Sequence, residues 1–175
     1  NLTAFRHAKV HSGGAVDFLD ESVDATAVPP HLEGFRTMFA ALHHFPPAVV
    51  QRILQDAVDR RCPIGIFDFS ARVPPPPPML LLMSSAPGVL LSAPFIRPFR
   101  WSSLFWTYVI PVLPFYVAWD AFVSGLRLYS TQELQEIVGG LRSNDYAWEI
   151  GRDASATWLT YLIGYPLDAP SERSV

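Results

Sequence analysis

Two adjacent histidines, His43 and His44, are the residues of this sequence whose type and position best suit chemistry. They follow the almost uncharged run Phe35–Leu42, which is typical of a strand buried on both faces. Pro46 and Pro47 come next and can open a helix, because proline lacks the donor that a first helical turn leaves unpaired. An imidazole can remove a proton from an oxygen or nitrogen nucleophile near neutral pH.

The residues after the histidines predict the elements that would position them. Apolar residues recur at helical spacing from 50 to 58, and Ile64–Phe69 is a second apolar run. Strand, helix and strand in this order form the parallel crossover unit, and ligands of open α/β sheets bind beyond the carboxyl ends of such strands. Adjacent residues on a strand point to opposite faces. His43 and His44 are therefore either a structural strand-end pair, one satisfied by backbone and one exposed, or a pair of which one lines a reaction site.

Composition limits the class of protein. The chain has 175 residues, of which half are hydrophobic, so we expect a single domain with a substantial core. A net charge of -3 gives no electrostatic reason to expect nucleic acid. The single Cys62 excludes an internal disulfide and fits a reducing compartment, so a cytoplasmic location is expected. No signal peptide is predicted, and a start at Asn1 rather than methionine suggests a fragment.

The remaining elements follow from local patterns. We predict a helix that begins at Leu2 and ends before Gly13, and a strand at 15–19. A second helix is predicted to begin after Ser130, which caps it, with Glu133 in its first turn. Two strands at 146–150 and 157–163 are predicted to form a hairpin. His7 and His11 have metal-ligand spacing but no third ligand nearby, so no metal is predicted.

The segment 73–128 is an apolar, proline-rich insertion. Its five prolines at 74–78 predict a stiff polyproline II spacer. The nineteen residues from Trp101 to Trp119 carry no charge and would span about 28 Å as a helix, although Pro111 lies inside them. They could cross a membrane, contact its surface with Arg97 and Arg100 as anchors, or form an apolar cap over a site. The cap is the interpretation we favour.

Two acids near these segments have alternative roles. Asp68, at the end of the second strand, either faces a substrate or caps the following turn, and the cap is favoured. Asp120 lies in an apolar region and is predicted to be buried, with Arg97, Arg100 or Arg127 as its partner.

Three segments together resemble a known family. They are Val23–Pro29, with its Asp-Ala pair, Ala41–Phe45, with Leu-His-His, and the aromatic segment Ala93–Trp101. Their order, together with the terminal hairpin, resembles the carboxyl-terminal part of a class I (Rossmann-like) S-adenosylmethionine-dependent methyltransferase. The aromatic segment also resembles that of a bacterial subgroup with an apolar insertion before the sixth strand. The resemblance implies a partial α/β sheet that is mostly parallel and lacks the first strands. Its last strand is inserted antiparallel, which gives a carboxyl-terminal hairpin.

The resemblance also implies site residues. Asp24 and Ala25 would contact the adenine of S-adenosylmethionine, although Asp24 could equally be a turn residue bonded to its own backbone. Ala41 and Leu42 would face the methionine part of that cofactor. His43 and His44 are the candidate catalytic residues, with His43 preferred.

The insertion suggests the substrate. Its apolar composition indicates a hydrophobic small molecule, which Arg97, Trp101 and Tyr108 are expected to contact. In the family the first strand and its glycine-rich turn approach the cofactor, and neither is found in this sequence. We therefore expect this chain alone to bind the cofactor weakly and to be inactive. The alternative is a non-catalytic module that binds a membrane surface or a partner on a degenerate scaffold.

Overall fold

The computed structural model describes residues 2–69, 87–97, 99–143, 145–153 and 159–167. Its elements are α1 (Leu2–His11), β1 (Arg36–Phe39), α2 (Pro47–Asp59), β2 (Ile64–Phe69), α3 (87–92), α4 (Trp101–Leu104), α5 (Val112–Arg127), α6 (Thr131–Gly139), β3 (Tyr146–Arg152) and β4 (Leu159–Pro166). Short 3-10 turns lie at Leu42–His44 and Ala93–Phe95, and a π-helical turn lies at Phe105–Val109. The predicted α/β class is confirmed. The predicted polyproline spacer at 74–78 lies outside the described residues.

The described strands form one mixed sheet in the order β1-β2-β4-β3. β1 and β2 are parallel, with Arg36 opposite Ile64, which confirms the crossover unit. β4 lies between β2 and β3 and is antiparallel to both, so β3 runs in the same direction as β2. Within the described residues β1 pairs only with β2, which leaves its outer edge unpaired.

The core lies between one face of the sheet and the helices α2 and α6. Pro46 caps α2 and Pro47 opens it, as predicted. The buried apolar side chains come from α2, β2, α6, β4 and the turn after β1, and are Leu42, Val50, Ile53, Leu54, Ala57, Ile64, Ile66, Leu134 and Leu162. Each larger member contributes about 1.5–3 kcal/mol by leaving water.

The other face of the sheet is aromatic and half-exposed in the described residues. Because Phe39 and Phe67 are opposite each other on parallel strands, their rings stack on this face with centroids 5.2 Å apart. Phe39 nevertheless remains 66% exposed and Phe69 49%. The described helices thus cover only one side of the sheet.

The terminal elements match the sequence patterns closely. Ser130 and Glu133 form a capping box, in which the Ser130 hydroxyl accepts from the Glu133 backbone N–H and the Glu133 carboxylate accepts from the Ser130 backbone N–H. The predicted antiparallel hairpin is confirmed. Its strands extend beyond the predicted ends to Arg152 and Pro166, because residues near the ends still find partners across the ladder.

Two predicted strands need correction. The run Phe35–Leu42 is a strand only from Arg36 to Phe39, because Ala40 adopts a positive φ of 48° and turns the chain away. The residues at 15–19 form no strand. The Asp17 side chain there accepts from the backbone N–H of Phe18 and pairs with Lys9, so these residues bond locally instead of joining the sheet.

The uncharged run from Trp101 to Trp119 does not form one straight helix. The segments Trp101–Val109 and Val112–Arg127 meet at 75°, with Pro111 at the amino end of α5, where it cannot donate a backbone hydrogen bond. No single helix in the described part of the chain is long and apolar enough to cross a membrane, and only the bent pair together reaches the required length and composition. Asp120 on α5 is exposed, so the predicted buried ion pair is wrong.

Candidate functional site

The candidate site lies where the two parallel strands end. The backbone N–H of Ala40 makes the last bond of the ladder, to the carbonyl of Phe67 at 2.8 Å. The chain then forms the 3-10 turn Leu42–His44, which Leu42 anchors in the core at 1% exposure. Asp68 lies one residue before the end of β2. The parallel arrangement therefore brings His43 and Asp68 to the same edge of the sheet.

His43 and Asp68 form a buried pair. The Asp68 carboxylate accepts the backbone N–H of His43 at 3.1 Å and lies 2.9 and 3.0 Å from its ring Nδ1. Both side chains are nearly buried, at 6% and 11% exposure. A carboxylate only accepts hydrogen bonds, so Nδ1 carries the proton. When the ring is neutral, Nε2 then carries the free lone pair, which is the tautomer a general base needs.

Asp68 has a role besides the two predicted for it, which were contact with a substrate and a cap on the turn after β2. The favoured prediction was a cap on the turn that follows β2, and Asp68 does accept from the backbone N–H of Phe69 at 2.8 Å. Its larger role is to cap and orient the turn after β1, through His43. The signal was present in the sequence, because the ends of neighbouring parallel strands meet at one edge.

His44 does not lie on the face opposite His43. The two rings are adjacent, with centroids 4.3 Å apart and planes tilted by 39°. The expectation of opposite faces assumed a strand, whereas these residues lie in a 3-10 turn. His43 is buried and His44 is exposed. The structural alternative predicted one histidine bonded to backbone and one exposed, but the Asp68 carboxylate bonds the ring of His43.

A cleft of about 520 Å³ adjoins both histidines. One wall is the segment 43–47, and the other is the end of α5 with the residues that follow, 126–129, together with Glu133. The Tyr129 hydroxyl donates to the Phe45 carbonyl at 2.6 Å and so links the two walls. Burial, and then the nearby Glu133 carboxylate, raise the pKa of Tyr129 above its usual value, which keeps this donor protonated.

The lining of the cleft is half polar and half apolar. Five of its ten lining residues carry ionisable side chains, and these are His43, His44, Arg127, Tyr129 and Glu133. The Glu133 carboxylate also accepts from the hydroxyl and backbone N–H of Ser130, at 2.7 and 2.8 Å, which fixes its position. A histidine base at such a cleft suits removal of a proton from a neutral hydroxyl or amine.

The residues expected to hold the cofactor do not come together at this cleft. Ala25 lines a different groove, with Val23 and the segment 36–38 of β1. Asp24 Oδ1 accepts from both the backbone N–H and the hydroxyl of Thr26, each at 2.8 Å, which is the turn alternative. These two hydrogen bonds lower the pKa of the exposed Asp24. Among the described residues, the grooves lined by the Asp-Ala bend and by the Leu-His-His turn share no residue.

Leu42 and Ala41 contribute little to either groove. The Leu42 side chain is packed in the core, and its carbonyl accepts from the backbone N–H of Phe45 at 3.0 Å. Ala41 precedes the 3-10 turn without a side-chain cap. The four positions Asp24, Ala25, Ala41 and Leu42 thus do not build one nucleoside site in the described structure.

The predicted substrate contacts also lie away from the histidines. Arg97 is exposed, and Trp101 is 78% exposed with its ring edge-to-face against Phe99. The Tyr108 hydroxyl donates to the Leu90 carbonyl within the insertion. None of the three lines the His43 cleft, which the insertion reaches through Leu126, Arg127 and Leu128.

No three His, Cys, Asp or Glu side chains in the described ranges are placed to hold a metal ion. His7 and His11 stack with ring centroids 3.7 Å apart, and the His11 Nδ1 lies 2.9 Å from the His7 carbonyl.

Comparison with known proteins found no match to this sequence among protein-family models, curated proteins or solved structures.

Proposed function

We propose that this chain is the carboxyl-terminal part of a Rossmann-like, S-adenosylmethionine-dependent methyltransferase that acts on a hydrophobic small molecule. The observation that carries the proposal is the strand order β1-β2-β4-β3, with the last strand inserted antiparallel between two strands of common direction. The resemblance drawn from the sequence implies such an inserted last strand. Rossmann-like sheets place their ligands beyond the carboxyl ends of the parallel strands, where His43 and Asp68 meet.

The surface of the sheet also supports the proposal. A doubly wound α/β sheet carries helices on both faces and further strands beside the central ones. Here α2 and α6 cover one face, while Phe39 and Phe69 on the other face stay exposed. In the part of the chain that the structure describes, the outer edge of β1 is unpaired, and another parallel strand could pair there.

The four positions that the resemblance assigns to the cofactor, Asp24, Ala25, Ala41 and Leu42, do not fit it. Asp24 is engaged in its own turn, and the Leu42 side chain is in the core. A bound S-adenosylmethionine would therefore need residues other than these four, such as the first strand and glycine-rich turn that the resemblance implies.

The chain's own contribution to the reaction is a base. His43 Nε2 would accept the proton of a hydroxyl or amine nucleophile held in the cleft, and the Asp68 carboxylate would stabilise the imidazolium that forms. General base catalysis of this kind contributes about 10²- to 10⁴-fold to a rate. Alignment of the nucleophile between the walls that Tyr129 links would supply a further share.

Activity measurements test the base. Methyl transfer from radiolabelled S-adenosylmethionine to a panel of apolar alcohols and amines is measured with the complete natural gene product. His43→Gln should lose about 10²-fold or more in kcat, whereas His44→Gln, one residue away and exposed, should lose much less. Equal activity of His43→Gln and the wild type would contradict the assignment of His43.

Two further observations test whether this chain alone forms a site for S-adenosylmethionine. Calorimetric titration of the 175-residue chain with S-adenosylmethionine should give no micromolar affinity. The coding sequence upstream of Asn1 should encode a strand that ends in a glycine-rich turn. Micromolar affinity of the isolated chain would show that the cofactor site is complete without such a strand.

A second candidate function is a non-catalytic membrane-surface or partner-binding module, cytoplasmic and peripheral to the membrane. The large exposed aromatic side chains of the insertion favour it, Trp101 and Phe95 among them. Membrane or partner binding that survives Asp24→Asn and His43→Gln, with no methyl transfer by the complete gene product, would favour the module.

A further inference from the structure

The insertion buries small side chains and exposes large ones. Over residues 87–127, its buried side chains are Ala93, Thr107, Pro114 and Ala118. The aromatic side chains are outside, with exposures of 80% for Phe95, 78% for Trp101, 69% for Phe115, 68% for Tyr116 and 62% for Trp119. This is the reverse of the core between α2 and the sheet, where Leu, Ile and Val are inside.

The exposed apolar area is large for a chain of this size. An aromatic side chain offers about 150–250 Å² of surface, so five that are more than half exposed present on the order of 500 Å². The exposed side chains of Leu91, Val109 and Leu126 add to this area. So much exposed apolar surface within one segment of the chain is typical of a site of interaction.

The charge of the insertion differs in sign from that of the whole chain. Its ionisable side chains are Arg97, Arg100, Arg127 and Asp120, a net charge of +2 in a chain of net charge -3. All four are exposed, and none of them forms an ion pair within the described residues. The arginines lie near the two ends of the bent pair, beside Trp101 at one end and Leu126 at the other.

The shape of the bent pair favours binding to the surface of a bilayer over crossing it. α5 has 16 residues and is about 24 Å long, shorter than the hydrocarbon core of about 30 Å. The 75° bend at Pro111 sets the preceding helical segment across α5 and not along it. Exposed Trp and Tyr side chains favour the headgroup level of a bilayer, and basic residues beside them are attracted to anionic lipids.

We propose that the bent pair, Trp101–Val109 with Val112–Arg127, binds the surface of a bilayer that contains anionic lipids. The aromatic side chains enter the headgroup region, and Arg97 and Arg100 contact lipid phosphates. A second copy of the chain is the weaker occupant, because its matching surface would carry the same net positive charge. The proposal concerns a surface and does not depend on the activity proposed for His43.

Vesicle flotation tests this binding, because aggregates sink while bound protein floats. The 175-residue chain is mixed with phosphatidylcholine vesicles, with or without one quarter phosphatidylglycerol. Binding should require the anionic lipid and fall with added salt. Arg97→Gln with Arg100→Gln should weaken partitioning about 25-fold, at about fivefold for each arginine. The exposed pair Arg6→Gln with Arg52→Gln removes the same charge elsewhere and should leave partitioning nearly unchanged.

Quenching of tryptophan fluorescence by brominated lipids locates the contact. Trp101→Phe should lose part of the quenching, whereas Trp148→Phe, in the half-buried β3, should not. Absence of flotation with anionic vesicles overturns the proposal. So does an equal loss in the two arginine pairs, or quenching that Trp101→Phe leaves unchanged. A concentration-dependent dimer in sedimentation velocity that Trp101→Ser abolishes, without lipid binding, would assign the surface to a second copy instead.

Discussion

The Asp68 carboxylate holds His43 at two points, its backbone N–H at 3.1 Å and its ring Nδ1 at 2.9 Å. The two residues are 25 positions apart in the sequence and meet because β1 and β2 are parallel. The contact fixes both the turn that carries the histidine and the tautomer of its ring. Local turn geometry and side-chain chemistry are thus coupled at the edge of the sheet where ligands of α/β domains bind.

Asp68→Asn should release the His43 ring. An amide side chain can donate as well as accept, so it no longer requires the proton on Nδ1. We expect ¹⁵N NMR of the imidazole to show the Nδ1–H tautomer in the wild type and a mixture in the variant. The free energy of unfolding should fall by about 1–3 kcal/mol, because buried hydrogen bonds are lost. His44→Gln serves as the control and should leave the Nδ1–H tautomer of His43 unchanged.

Asp56 should control stability in acid. Burial alone would raise the pKa of Asp56, but hydrogen bonds from Arg36 at 2.7 Å and Arg60 at 3.0 Å outweigh it and lower the pKa below the usual 3.8. The stabilisation is therefore complete above the unfolded-state pKa and is lost as pH falls through the lower folded-state pKa.

Substitution of Asp56 tests this network. Asp56→Asn should cost about 3 kcal/mol at pH 7, because it removes the counter-charge of Arg36. The buried Nε and Nη2 of Arg36 have no hydrogen-bond partner among the described residues. The cost should shrink in urea denaturation at pH 3. Asp59→Asn, exposed on the same helix, should cost less than about 0.5 kcal/mol. Equal costs at pH 7 would contradict the assignment.

Tyr146 should make the fold sensitive to alkali. Burial, and then the neighbouring Cys62, raise the pKa of Tyr146 to about 12, and its hydroxyl donates to the Cys62 carbonyl at 2.7 Å. Stability from this residue is complete below the unfolded-state pKa of about 10 and is lost as pH rises through about 12. Tyr146→Phe should cost about 1 kcal/mol at pH 7 and reduce the loss of stability between pH 10 and 12, as measured by urea denaturation. A variant that loses stability over this range as steeply as the wild type would exclude Tyr146 as the cause.

Gly164 should tolerate no side chain. A Cβ there would lie 2.4 Å from Cζ3 of Trp148 and 2.6 Å from Cε1 of Tyr146, the aromatic neighbours on β3. Gly164→Ala should therefore destabilise the hairpin by about 1–3 kcal/mol in thermal or urea denaturation. Gly139→Ala is the matched control, since a Cβ at the end of α6 meets nothing within 4 Å, and it should stabilise by up to about 1 kcal/mol.

Local sequence patterns determine several secondary-structure elements of this protein. The prolines at 46 and 47, the capping box of Ser130 and the helical spacing of Val50, Ile53 and Leu54 specify helices through contacts within a few residues. The crossover unit and the hairpin were also predicted, because short connections leave few ways to pair the strands.

Only the tertiary structure decided how these elements meet. The pair of Asp68 with His43 and the separation of Asp24 from the histidine cleft depend on contacts between residues that are far apart in the sequence. Alternation at 15–19 failed to give a strand, because a strand needs a partner that the sequence pattern does not supply. The spacing of residues in the sequence determines on which face of a helix or strand a side chain lies. The packing of the whole chain determines which other residues that face contacts.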